Sequence, residues 1–135
     1  MPVRLMTIGQ LARKSRVTPR AIRYYELLGL LKVPLRSEAN YRLFDSDSLA
    51  RIRFISKCRS LGFSIAEITE LLSITENADH TCAQVEEVTR RHLATIDVKL
   101  QTLMEMREPV AKYLSRCTGR GVPECAVLDY LKKSS

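Results

Sequence analysis

The sequence predicts a mostly α fold. A winged helix-turn-helix unit comes first, then a long helix suited to antiparallel dimerisation, then a short C-terminal loop and helix. Three observations predict it. Two short helical stretches, each with a Thr at its start, are separated by a tight turn. A turn-rich segment with apolar flanks interrupts the helical pattern over residues 30–44. An apolar seam at three-four spacing then runs from Leu93 to Leu114.

The elements follow in order. Ile8, Leu11 and Ala12 have helical spacing after Thr7, an N-cap. Ser15-Arg16-Val17 is the turn. Thr18-Pro19 opens the second helix as an N-cap followed by Pro at the first helical position, Ile22 and Tyr25 continue its buried face, and Gly29 can stop it. Pro34, Ser37 and Asn40 are turn residues between Leu30-Leu31 and Tyr41-Arg42-Leu43-Phe44, which reads as a small β-hairpin, a wing. A third helix follows Asp45, with Leu49, Ile52 and Ile55 on one face, and ends near Gly62. Ser64-Ile65-Ala66-Glu67 is a capping box for a fourth helix that buries Ile65, Ile68, Leu71 and Leu72. The predicted division is therefore 1–74 as the winged helix-turn-helix unit, 75–81 as a polar linker, 82–116 as the long dimerisation helix and 117–135 as a loop with a short helix. Leu93, Ile96, Leu100, Leu103, Val110 and Leu114 form the seam of the long helix, and Arg107 is its charged intruder. Pro109 removes one hydrogen bond there, so a bend or an early end near residue 106 is expected.

Charge separates the two halves. Residues 1–74 hold 13 Lys/Arg and 6 Asp/Glu, whereas residues 75–135 hold 9 of each, so the net charge of +7 lies wholly in the first half. A basic module beside a neutral one suggests a nucleic-acid partner for the first. No apolar run approaches the roughly 20 residues of a membrane span, and the N-terminus lacks a secretory apolar stretch, so a cytoplasmic protein without a membrane partner is expected.

On the second helix Arg20, Arg23, Tyr24 and Tyr25 are placed to meet the major groove, with Thr18 at its start counted among the DNA contacts. Arg grips guanine or phosphate, and Tyr hydroxyls bind phosphate. Arg36 and Arg42 on the hairpin reach the flanking backbone. Arg13, Lys14 and Arg16 read as solvated charges near DNA rather than base readers.

Cysteines stand at 58, 82, 117 and 125. In a cytosolic chain such a set suggests metal or redox chemistry. Cys117 and Cys125 bracket a stretch with two Gly and one Pro, a loop that can turn two thiolates onto one ion. Unrelated buried cysteines and a redox disulfide are the alternatives. Cys82 lies 35 residues before Cys117, about 50 Å along one helix, so the two cannot share an ion within a chain. In an antiparallel pair that places Cys82 opposite Cys117 of a second copy, Val85 meets Leu114, Thr89 meets Val110 and Ile96 meets Leu103. The register that matches the cysteines also matches the apolar seam. The predicted site takes Cys82 from one subunit and Cys117 and Cys125 from the other. Three thiolates suit Cd(II), Pb(II), Hg(II) and Zn(II). Zn(II) would need a fourth ligand from water, His80 or Glu124, whereas two thiolates satisfy Cu(I). His80 and His92 are weaker ligand candidates and read as ordinary surface or interface histidines, and Cys58 reads as packing in the third helix. No carboxylate or histidine is placed convincingly as a general base beside the cysteines, which argues against a zinc hydrolase and against an enzyme.

Thr7-Ile8-Gly9-Gln10-Leu11-Ala12, Ala21-Ile22-Arg23-Tyr24-Tyr25-Glu26, Gly29-Leu30, Arg36-Ser37, Asn40-Tyr41-Arg42 and Leu61-Gly62-Phe63 resemble the N-terminal signature of the MerR family. The resemblance extends over essentially the whole chain. It implies a homodimer with an antiparallel dimerisation helix that binds a palindromic site in double-stranded promoter DNA. It also implies activation through bending and untwisting of an overlong promoter spacer, which realigns the promoter for RNA polymerase. By that resemblance Arg23, Tyr24, Tyr41 and Arg42 contact DNA, and Cys82, Cys117 and Cys125 bind a divalent heavy-metal effector. The cysteine pattern resembles the heavy-metal branch, where copper sensors carry Ser at the position of Cys82. The seven-residue loop is similar in length to that of copper sensors. It has no His and no adjacent second Cys, unlike the family's zinc sensors, which favours cadmium, lead or mercury. A Cu(I)-responsive regulator and a thiol-based redox regulator on the same scaffold are the alternatives.

Overall fold

The structure, a computed structural model, describes residues 4–32, 34–77, 79, 81–117, 119 and 125–133. The chain divides into two compact units, Met1–Val85 and Glu86–Ser135.

In the first unit a two-residue strand β1 (Met6–Thr7) leads into α1 (Ile8–Ser15). Thr7 caps α1 through a full capping box: its hydroxyl accepts from the Gln10 amide, and Gln10 Oε1 accepts from the Thr7 amide at 2.9 Å. Arg16, in the left-handed region at φ 60°, turns the chain. The helix α2 (Pro19–Leu27) starts on the predicted Thr18 cap, with Pro19 inside its first turn. It stops at Gly29, whose φ of 77° is costly for any residue with a Cβ. The Gly29 and Leu30 amides donate to the Glu26 and Tyr25 carbonyls and satisfy the end of the helix.

The wing comprises β2 (Leu35–Arg36) and β3 (Arg42–Phe44), paired antiparallel with Leu35 opposite Leu43 and Arg36 opposite Arg42. The sequence predicts a hairpin, but the sheet has three strands in the order β1-β3-β2. β1 pairs with β3, Met6 opposite Phe44 and Thr7 opposite Leu43. A two-residue strand carries no period of its own, and it exists because β3 offers it a free edge.

Asp45 caps α3 (Ser46–Ser60) through the Ser48 amide, and Ser64 caps α4 (Ile65–Glu76) with the predicted capping box. α4 runs two residues into the segment expected to be linker. Leu11, Ile22, Phe44, Ile52, Ile55 and Ile68 are fully buried and form the centre of the core. Leu71 and Leu72 are buried as expected, whereas Ile65, expected inside, is only half-buried at the first position of α4. Cys58 is buried in α3, and burial pushes its thiol pKa up, in keeping with a packing role. Arg51 ties the end of α2 to the end of α4 by donating to the Leu30 carbonyl and to Glu76.

The long helix α5 runs from Cys82 to Ser115 without interruption. Of the bend or early end expected near residue 106, the early end does not occur. Pro109 lies inside the helix and leaves one carbonyl without its N–H partner, a local loss that a 34-residue cooperative helix tolerates. The second unit closes with α6 (Ala126–Lys132). Among the described residues, no helix is long and apolar enough to cross a membrane.

Candidate nucleic-acid interface and metal site

The start of α2 and its outer face carry exposed polar side chains. Arg20, Arg23 and Tyr24 recur at helical spacing on α2 and are exposed, and Thr18 is exposed at its start. The Thr18 hydroxyl accepts from the Ala21 amide at 3.1 Å, so this residue is occupied as a cap. Tyr24 packs beside Tyr25 with ring centroids 5.9 Å apart. In the wing, Arg36 and Tyr41 are exposed and Arg42 half-exposed. Ser37 organises the tip: its hydroxyl accepts from the Tyr41 amide at 3.0 Å and its amide donates to the Tyr41 carbonyl at 2.9 Å. Asn40 takes a left-handed φ of 66°, a conformation that Asn tolerates better than most residues. Arg36 Nη1 donates to the Asn40 carbonyl at 3.1 Å.

One contact across this surface carries no sequence signal. Arg42 Nε donates to Glu26 Oε1 at 3.3 Å and so links the wing to α2. Arg23, Glu26, Leu27, Leu31 and Arg42 line an open cleft there. The partners lie 16 residues apart, so no local spacing announces the pair.

Of the four cysteines, the structure brings together two. The Cys117 side chain lies near enough to that of Cys125, across the loop, to favour the Cys125 thiolate. Cys125 stands at the N-cap of α6. The Leu128 and Val127 amides and the Cys117 side chain favour its thiolate and hold its pKa below the usual value, against a smaller opposing effect of desolvation. A dithiol of this kind, with one thiolate favoured, fits a soft cation. Cys82 is exposed at the first residue of α5. Among the described residues, no group of three or more His, Cys, Asp and Glu gathers within the chain. His80 and Glu124, the further donor candidates, lie outside the described residues, and His92 is buried in α5. A second contact across the loop also escapes sequence reasoning. Tyr113 on α5 stacks on Tyr130 of α6 with centroids 4.3 Å apart.

Comparison with known proteins bears on both surfaces. The family described as MerR HTH family regulatory protein matches residues 6–74, and that described as MerR, DNA binding, matches residues 49–112. The chain is 31% identical to heavy metal-dependent transcription regulator 2 of Rhizobium meliloti (strain 1021), over 96% of this chain and 88% of that one. It is 32% identical to the HTH-type transcriptional regulator ZntR of Escherichia coli (strain K12), over 95% and 93% of the two chains. Its fold is similar to that of the transcription regulator PbrR691 from Ralstonia metallidurans CH34, solved in complex with lead(II), with a TM-score of 0.80 and 32% identity over 93% and 98% of the chains. The capped helix pair, the wing and these matches agree: the chain belongs to the MerR family of helix-turn-helix regulatory proteins, and it is a DNA-binding transcription regulator rather than an enzyme.

Proposed function

We propose that the protein is a homodimeric, metal-responsive regulator that binds promoter DNA through α2 and the wing and senses a soft divalent cation through three thiolates. The observation that carries the sensing half is the meeting of Cys117 and Cys125 side chains across the loop. Two thiolates are an incomplete set for Cd(II) or Pb(II), and Cys82 of the partner subunit supplies the third in an antiparallel pair of α5 helices. The exposed seam of α5 supports that pairing: Leu93, Leu100, Leu103, Val110 and Leu114 are each more than half exposed in the single chain. The relatives support the choice of ligand, since one is named heavy metal-dependent and another was solved with lead(II). Thr18, Arg20, Arg23, Tyr24, Arg36, Tyr41 and Arg42 form the DNA-facing set. Arg23 and Arg42 are suited to phosphate, and the exposed Tyr hydroxyls to backbone oxygens. Metal binding in the C-terminal loop alters the dimer so that promoter DNA is bent and untwisted, and RNA polymerase then engages it.

The test is a titration of Cd(II), Pb(II), Hg(II) and Zn(II) into the protein, followed by thiolate-to-metal charge-transfer absorbance, with reporter induction by the same ions. Cys82→Ser is expected to bind DNA as the wild type does and to lose induction by divalent ions. Full induction in that variant would remove Cys82 from the site.

The same thiol adjacency supports a second reading, a dithiol–disulfide switch. Induction by oxidant in metal-free medium, with a Cys117–Cys125 disulfide found by mass spectrometry, would favour it.

A further inference from the structure

Closing the loop between Cys117 and Cys125 costs chain entropy, and a thiol–thiol contact recovers little of it. α6 brings little stability of its own. It has seven residues, and its Lys133–Asp129 ion pair at 3.2 Å is exposed. The aromatic contact stands behind the dithiol on both arms of the loop. Tyr113 lies in the last turn of α5, and Cys117 follows the end of that helix, its amide donating to the Leu114 carbonyl at 3.0 Å. Tyr130 is five residues after Cys125 on α6. The rings are 20° from parallel at 4.3 Å, in the range of a stacked pair. Lys112 Nζ and Arg116 Cζ lie 5.5 and 5.6 Å from the Tyr113 centroid, close enough for cation–π attraction.

We propose that Tyr113 and Tyr130 are a positioning clasp: their stack docks α6 on the end of α5, holds Cys125 against Cys117, and thereby sets how tightly the thiol pair takes a soft divalent cation. The cation-binding consequence rests on the metal-sensing reading above, whereas the clasp itself does not. Neither tyrosine is a ligand, and each acts through the cysteine on its own arm.

The experiment uses the full-length protein and two probes, a metal-free glutathione redox buffer and Cd(II). In the first, Cys117 and Cys125 give up two protons and two electrons to form one S–S bond, and one glutathione disulfide is reduced to two glutathione thiols. Mass spectrometry of alkylated peptides locates the bond. The equilibrium constant then reports how closely the two thiols are held. Tyr130→Ala is expected to lower that constant by roughly 3- to 10-fold, the range of an aromatic pair's coupling. Cd(II) affinity, read from thiolate-to-metal absorbance, is expected to fall by a similar factor. Tyr130→Phe keeps the ring face and is expected to behave as wild type. Tyr113→Ala should match Tyr130→Ala, and the double variant should lose no more than either single one. Affinity for duplex DNA should be unchanged throughout.

A wild-type redox constant in Tyr130→Ala, a Phe variant as weak as the Ala variant, or additive losses in the double variant would each overturn the clasp. If wild-type protein shows no Cd(II) band while the redox constants follow the expected order, the metal reading falls and the clasp is upheld.

Discussion

Asp45 holds the start of α3 with its carboxylate, which accepts from the Ser48 amide at 2.9 Å. That bond is the main reason its pKa lies below the usual 3.8, with a smaller contribution from the charge of Lys32. A depressed folded pKa means that the stabilisation is fully present above the unfolded value and is lost as pH falls through the lower folded value. Asp45→Asn keeps a capping oxygen and removes the titration. It should therefore cost little at pH 7, about 1 kcal/mol or less, and lose less stability than wild type between pH 4 and the folded pKa, as checked by urea melts across that range. Glu26 is a different case, because its partner is proposed to face DNA. If Glu26 orients Arg42 towards a phosphate, Glu26→Ala and Arg42→Ala should weaken binding to duplex DNA alike. Each should also lower the slope of log affinity against log salt by about one. Fluorescence anisotropy over a salt series checks this. Tighter binding by Glu26→Ala would mean that the carboxylate withholds Arg42 from DNA.

At the scale of elements, α5 shows how a poor local residue is carried by a long cooperative helix. Nucleation is the costly step, and propagation through one missing hydrogen bond is a bounded loss. Proline in a helix interior costs about 3 kcal/mol relative to alanine. Pro109→Ala is therefore expected to raise the midpoint of thermal unfolding, with up to that much added stability. Differential scanning calorimetry at fixed protein concentration measures it. A fall in the midpoint would show that the proline supports a contact that alanine cannot make. The shorter helices show the opposite balance. α1, α2 and α4 each begin on a side-chain cap, and α3 does so on Asp45, because helices of 8 to 15 residues depend heavily on satisfied ends.

At the scale of the whole molecule, the seam of α5 and the basic first half ask for different partners. The seam is apolar and exposed over several turns, which favours a second copy of the same helix. Leu103→Glu places a charge where Ile96 of the partner subunit is expected. It should turn the dimer into a monomer in analytical ultracentrifugation, abolish the thiolate-to-metal band that needs two chains, and leave the helical signal of the first unit intact. A Leu103→Glu protein that remains dimeric would move the interface elsewhere. The +7 charge, concentrated before residue 75, suits the polyanionic partner of a family defined by DNA binding.

The sequence by itself determined the first four helices with their starts, the wing and the family, and it nominated Cys117 and Cys125 as candidates for one ion. Thr7, Thr18, Ser64 and Gly29 are legible because a cap or a stop is a contact within about four residues, and such contacts survive in any tertiary setting. Tertiary structure alone decided that Met6–Thr7 is a strand on β3, that Glu26 holds Arg42, that Tyr130 lies on Tyr113, and that α5 continues past Pro109. The first three join residues 16 or more positions apart, whose encounter depends on everything folded between them. The last is an energy balance along 34 residues, in which the length of the helix outweighs the preference of one.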